Sequence, residues 1–146
     1  MGKNRGFTLI ELMVTIAILA IIAMLAVPTF GDLVEKQDLN KSTQNLVGQL
    51  NSARSRAVLE RRNVIVELNS SLPDTSSTLY WNPTGAAVLK SGSPTSVEFL
   101  LSGGVKDFDA KINGQPFIIC SKAGGVHAKR VSISLMGTVQ IEEGAC

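Results

Sequence analysis

Hydrophobic and polar positions divide the chain into three stretches of different period. Residues 7–30 are almost wholly apolar, and Glu11 is their single charge. The 21 residues 7–27 would make about 32 Å of helix, close to the thickness of a bilayer core. Residues 31–62 change to a helical stripe: Leu39, Leu46, Leu50, Ala53 and Ala57 lie 7, 4, 3 and 4 apart. Lys41, Gln44, Asn45, Gln49 and Asn51 fill much of the opposite side, which predicts an amphipathic helix lying across a sheet. The small residues 52, 53, 55 and 57 permit close approach there.

Beyond residue 62 the period becomes two. Strands are predicted at 63–68, 78–81, 86–90, 96–101, 116–120, 131–135 and 138–141, with 105–112 as a further candidate. Turn signals separate them: Asn82-Pro83-Thr84-Gly85, Ser91-Gly92-Ser93-Pro94, Ser102-Gly103-Gly104 and Asn113-Gly114. Residues 122–129 read as a Gly-rich loop. The predicted fold is α+β, a long N-terminal helix packed on an antiparallel, β-sheet-rich globular domain. The predicted organisation is a leader at 1–6, a transmembrane or filament helix at 7–30, and a globular domain at 31–146 that includes the second half of the helix.

Two residues disturb the apolar run. Glu11 is costly in hydrocarbon, roughly 2.5–3.5 kcal/mol, and such residues are usually functional. The plain alternative is an interfacial carboxylate beside a helix N-terminus, where the macrodipole favours an anion. Pro28 removes a backbone donor and predicts a kink or break; the alternative is a simple helix stop. Lys3 and Arg5 precede the run, which favours a cytoplasmic N-terminus with the rest of the chain outside. A secretory signal would have a shorter apolar core and a small-residue cleavage site, which residues 26–28 match poorly.

Gly6-Phe7-Thr8-Leu9-Ile10-Glu11, after a basic leader and before a long apolar run, resembles the N-terminus of type IV pilins. The resemblance implies that a prepilin peptidase cuts between Gly6 and Phe7 and N-methylates Phe7. Glu11 then becomes the fifth mature residue, paired in the filament with the N-terminal amine of a neighbouring subunit. It also implies a helix that continues past Pro28. The segment 50–57, the pair Asn63-Val64, and Cys120, Gly124-Gly125, Lys129-Arg130, the alternating 131–135 and Gly137 are similar to the minor pilins and pseudopilins grouped as GspH, FimT and FimU.

That resemblance implies a FimU-like minor pilin that primes or caps the pilus and supports twitching, adhesion and DNA uptake. Its partners would be prepilin peptidase, other minor pilins and the major pilin. It would sit in the inner membrane with the globe in the periplasm, and later in the filament. The alternatives are a GspH-like pseudopilin of type II secretion and a FimT-like DNA-binding pilin. DNA-binding FimT proteins carry Gly-Arg-x-Arg after the alternating strand. Here the residues are Gly137-Thr138-Val139-Gln140, so a nucleic-acid patch would be reduced to Lys129 and Arg130, with His127 nearby.

Composition adds limits. The net charge of +2 comes from 14 basic and 12 acidic residues, and Lys3 and Arg5 account for the excess. The remaining chain is neutral, so its local basic groups decide any partner. Arg54, Arg56, Arg61 and Arg62 form one such group: a solvated helix cap, a contact for an acidic neighbour, or a phosphate contact. Aromatics at 5% supply no stacking platform for bases.

The two cysteines, Cys120 and Cys146, would face an oxidising compartment, which favours a disulfide. The alternative is a buried free Cys120 and a loose Cys146. Two cysteines and one histidine at this spacing match no common metal site. Gly124-Gly125 is no phosphate loop, so no cofactor is implied. His127 could be combined with Ser121 and Asp107 or Asp109, yet no nucleophile elbow accompanies them, and no enzyme is implied.

Overall fold

The computed structural model describes residues 7–146, apart from the side chains of 25–29. Gly6 and the rest of the leader lie outside the described residues, as does the side chain of Pro28, whose backbone continues as helix. Helix α1 runs over Leu9–Glu60, a single element of 52 residues. Contacts divide the chain into two compact units, Met1–Val34 and Glu35–Cys146. In the first, the apolar side chains 9–24 are exposed. Among the described residues no helix is long and apolar enough to cross a membrane.

The second unit pairs the rest of α1 with two sheets. Strands β1 (Val64–Leu68), β2 (Thr78–Trp81) and β4 (Ser96–Phe99) form one, ordered β2-β1-β4. Strands β3 (Val88–Leu89), β5 (Phe117–Cys120), β6 (His127–Ile133) and β7 (Val139–Ala145) form the other, ordered β3-β5-β6-β7. The second sheet is antiparallel throughout. The helical stripe becomes the core: Leu46, Leu50, Ala53 and Ala57 are fully buried with Val64, Val66, Phe99, Phe117, Ile119 and Val131. Alanine at 53 and 57 lets the helix backbone approach the sheets, and a larger side chain there would overpack.

Several local expectations give way to tertiary effects. β1 and β2 are parallel, where an antiparallel pair was expected. The connection 69–77 carries about 30 Å of extended chain, enough to return to the start of the next strand. It then folds onto the outer edge of β2: Ser70 N donates to Trp81 O at 3.1 Å, and Tyr80 N donates to Asp74 Oδ1 at 2.8 Å. An edge so engaged is no longer a template for a stray strand. The candidate strand 105–112 is replaced by a short helix α2, Phe108–Lys111, with Val105 alone in a bridge to Phe99. Phe108 and Ile112 are four apart, so one helical turn brings both against the core. The Gly-rich stretch expected to be loop to residue 129 turns into strand at His127. The final strand extends beyond 141, to Ala145.

The loop between β2 and β3 is tied to α1 by polar groups. Trp81 Nε1 donates to the Ser42 carbonyl at 3.2 Å, Thr84 N donates to Ser42 Oγ at 2.9 Å, and Ala86 N donates to Asp38 Oδ2 at 3.1 Å. Gly85 has φ +65, and a Cβ there would fall 1.9 Å from Asp38 Oδ2.

Candidate functional site

The first candidate site is the start of α1. Phe7 is exposed ahead of the helix. Thr8 and Glu11 close a reciprocal cap. Glu11 N donates to Thr8 Oγ1 at 3.2 Å, while Thr8 N donates to Glu11 Oε2 at 2.9 Å. Thr8 Oγ1 donates to the same Oε2 at 2.9 Å. This is the S/T-x-x-E capping box, which satisfies two of the helix's orphan backbone donors. Among the described residues Glu11 Oε1 has no hydrogen-bond partner, so the carboxylate can hold the cap and still face a cation.

The second candidate is Cys120 and Cys146, which are joined in a disulfide with Cα atoms 5.6 Å apart. The bridge ties β5 to the residue following β7, on either side of β6, where Ala128 pairs with both Cys120 and Gly144. Lys90 Nζ donates to the Cys146 carbonyl at 2.6 Å.

The third candidate, Lys129 and Arg130, is divided by the pleat. Successive strand residues point to opposite faces. Lys129 shares the face of the buried Val131 and Ile133 and is half-buried. Arg130 lies on the other face against Gly144, where an added Cβ would sit 2.9 Å from its Nε. The two do not form one patch.

Lys129 instead lines a cleft of about 310 Å³ between α1 and the sheet, with Lys36, Leu39, Asn40, His127 and Glu143. Lys129 and Glu143 face one another across β6 and β7. Among the described residues, Lys36, His127, Lys129 and Glu143 form no hydrogen bond or ion pair through their side chains. This cleft escaped the sequence. Only the continuation of the 131/133 alternation back through 129 and 127 could have signalled it.

A further polar cluster lies on the other sheet. Lys106 Nζ donates to Glu98 Oε2 at 2.9 Å, and Asn63 Nδ2 donates to Glu98 Oε1 at 2.8 Å. The Lys106 ammonium, aided by Asn63, holds the Glu98 carboxyl below its ordinary range.

The imagined catalytic set is dispersed. Asp107 borders the cleft containing Glu98, Lys106 and Lys111, whereas His127 borders that of Lys36 and Lys129. Buried Ser121 uses its backbone N–H on the His127 carbonyl at 2.9 Å. Among the described residues no group of three His, Cys, Asp or Glu is placed to hold a metal. The arginine cluster is also spread out: Arg54 is half-buried, Arg56 exposed, and Arg62 pairs with Glu60 and the Ser76 carbonyl.

Comparison with known proteins bears on the first of these sites. Residues 1–27 match the family described as the prokaryotic N-terminal methylation motif. The chain is similar to a fimbrial protein of Pseudomonas aeruginosa, 34% identical over 65 residues, 44% of this chain and 42% of that one. It is 45% identical over 47 residues to prepilin peptidase-dependent protein D of Escherichia coli K12, covering 32% of each chain. It is 37% identical over 62 residues to type II secretion system protein H of Pseudomonas aeruginosa, covering 42% and 36%. The matches thus span less than half the length of these relatives. No solved structure matches the chain significantly. The chain thus carries a prokaryotic N-terminal methylation motif over residues 1–27 and, over less than half of its length, is similar to fimbrial and type II secretion system proteins. The relatives carry the names of fimbrial, prepilin peptidase-dependent and type II secretion system proteins.

Proposed function

We propose that this chain is a minor type IV pilin, an assembly subunit that primes or caps the pilus and so supports twitching, adhesion and DNA uptake. Prepilin peptidase removes residues 1–6 and N-methylates Phe7. Residues 7–30 then hold the protein in the inner membrane in a single pass, with the globe in the periplasm, until it enters the filament beside other minor pilins and the major pilin. The observation that supports this reading most is Glu11. It stands in the first turn of a 52-residue helix, inside the matched 1–27 motif, with one carboxylate oxygen committed to the cap and one open. A charge among packed apolar helices is tolerable when a cation meets it, and the Phe7 amine of the next subunit is such a cation.

A second reading, a minor pseudopilin of type II secretion, is favoured by the similarity to protein H. Deleting the chain separates the two. Loss of surface pili with secretion intact supports the pilin, and loss of secretion with pili intact supports the pseudopilin. Quantitative mass spectrometry of sheared pili tests the minor role, which fails if the chain makes up the bulk of the filament. A DNA-binding role is less supported, because Lys129 and Arg130 diverge and neither arginine of Gly-Arg-x-Arg is present.

A further inference from the structure

The buried apolar face of β6 ends at the cleft beside Lys129. On the α1-facing side of β6, Ile133 and Val131 are buried, but the next two positions are Lys129 and His127. On β7 that face carries Val139 and Ile141, then Glu143. The helix answers with Lys36 and Asn40 around buried Leu39. The cleft thus gathers one half-buried ammonium, Lys129, with the exposed Lys36, Asn40, His127 and Glu143. Opposite charges set directly across strands commonly pair. Lys129 and Glu143 are so placed, yet among the described residues they form no ion pair. A half-buried lysine without a partner forgoes solvation that a ligand would restore.

The mixture of charges narrows the ligand. Lys36, Lys129 and His127 suit an anion. Glu143 in the same cleft disfavours a bare anion and favours one that carries a cation beside it. The volume of about 310 Å³ is at the small end for ligand sites, large enough for a polar headgroup and too small for acyl chains.

Position along α1 indicates where such a group is found. Lys36 is six residues beyond Phe30, the end of the apolar run. Helical rise limits that separation to about 9 Å, whatever the helix's inclination. The headgroup layer is about 5–8 Å deep on each side of the hydrocarbon, and a lysine stem reaches several ångströms further.

We propose that this cleft binds the headgroup of a bilayer phospholipid that carries a primary ammonium beside its phosphate, and so seats the globe on the membrane before assembly. Lys36 and Lys129 donate to the phosphate oxygens, with His127 beside them, and Glu143 accepts from the ammonium. A quaternary ammonium has no N–H to offer Glu143, so phosphoethanolamine is favoured over phosphocholine. Entry into the filament then requires release of the lipid. The inference rests on the reading that residues 7–30 are embedded in a bilayer.

The test uses the full chain in detergent with equimolar phosphatidylethanolamine, phosphatidylglycerol and phosphatidylcholine. Lipid retention is read by native mass spectrometry. One phosphatidylethanolamine per chain is expected, at about tenfold excess over the other two. The double variant Lys36→Gln with Lys129→Gln should lose at least tenfold of that retention. Glu143→Gln should keep phospholipid but erase the preference for ethanolamine over glycerol, a change of selectivity that misfolding would not produce. Arg130→Gln, on the opposite face, should change nothing. Equal retention of all three lipids, a preference for phosphatidylglycerol in the unaltered chain, or retention unaffected by the lysine changes would overturn the proposal. So would loss of co-purifying pilins in the lysine variant with lipid retention intact, since a subunit would then occupy the cleft. Soluble glycerophosphoethanolamine at millimolar concentration should displace the lipid, whereas inorganic phosphate should not; the reverse would mean a phosphate site unrelated to the membrane. Alkaline extraction of cell membranes keeps the two readings apart. A chain that leaves the membrane on extraction refutes the anchored reading, and one that stays but shows no lipid preference refutes the cleft alone.

Discussion

Arg54 Nε donates to the Gly103 carbonyl at 3.2 Å, so the half-buried end of α1 is fastened to the turn after β4. The same side chain packs against the turn before β7, since a Cβ on Gly137 would lie 3.0 Å from Arg54 Cδ and Nε and 2.5 Å from Gly103 O. One arginine therefore holds a turn from each sheet. The first of the sequence-predicted arginines is a structural clamp.

Gly137→Ala should destabilise the chain by about 2 kcal/mol or more, combining left-handed strain at φ +75 with this contact. Gly92→Ala, at φ +87 with nothing within 4 Å, should cost only the strain. Urea midpoints in detergent check the difference; equal losses would show that the clamp does not tighten the turn. Arg54→Met keeps the stem and should cost about 1 kcal/mol for the lost hydrogen bond.

Glu11→Gln separates two roles of one carboxylate. Glutamine at the third helical position still closes a capping box, so membrane insertion and helix content should be retained. The charge is lost, and the variant's incorporation into filaments should fall severalfold, read by immunoblot of sheared pili. Normal incorporation would mean that Glu11 serves the cap alone. Mass spectrometry of the unaltered mature chain should find methylated Phe7 at its N-terminus.

The Glu98–Lys106 pair gives a pH dependence. Glu98 is lowered in the folded chain, first by the Lys106 hydrogen bond. Its stabilisation is therefore present above the ordinary carboxylate value and disappears as pH falls through the lowered one. Stability of the unaltered chain should fall faster than that of Glu98→Gln over this acidic window, and the gap should shrink in high salt because the pair is partly exposed. Parallel curves from thermal melts would remove the pair as a contributor.

Reducing the Cys120–Cys146 bridge, or replacing both residues by serine, should cost about 3–4 kcal/mol in the chain-entropy account. The separation of 26 residues sets that figure. β7 should loosen first, visible as faster amide exchange over Val139–Ala145. Unchanged exchange there would show that the β6–β7 ladder holds the strand without the bridge.

Much of the fold was legible because it follows from local period. The stripe Leu39, Leu46, Leu50, Ala53 and Ala57 is the buried face of α1, and Thr78–Trp81 is a strand. Legibility failed where a neighbour overrode the pattern. Val105 to Ile112 alternated weakly, and Phe108 and Ile112 found a closer fit to the core as one helical turn. His127 and Lys129 looked like loop beside Gly124-Gly125, but pairing with β7 extended the strand through them.

By itself the sequence determined what depends on neighbours along the chain. That includes the apolar run and its charge at Glu11, the cap residue three positions earlier at Thr8, the amphipathic helix and the strand-rich remainder. Only the tertiary structure decided which strands run parallel, that Arg54 clamps two turns, and that Lys129 and Arg130 face opposite ways. It alone assembled Lys36, His127, Lys129 and Glu143 around one cleft. Period and capping are set within a few residues by backbone geometry, whereas register and cleft formation depend on which distant side chains the packed core brings within reach.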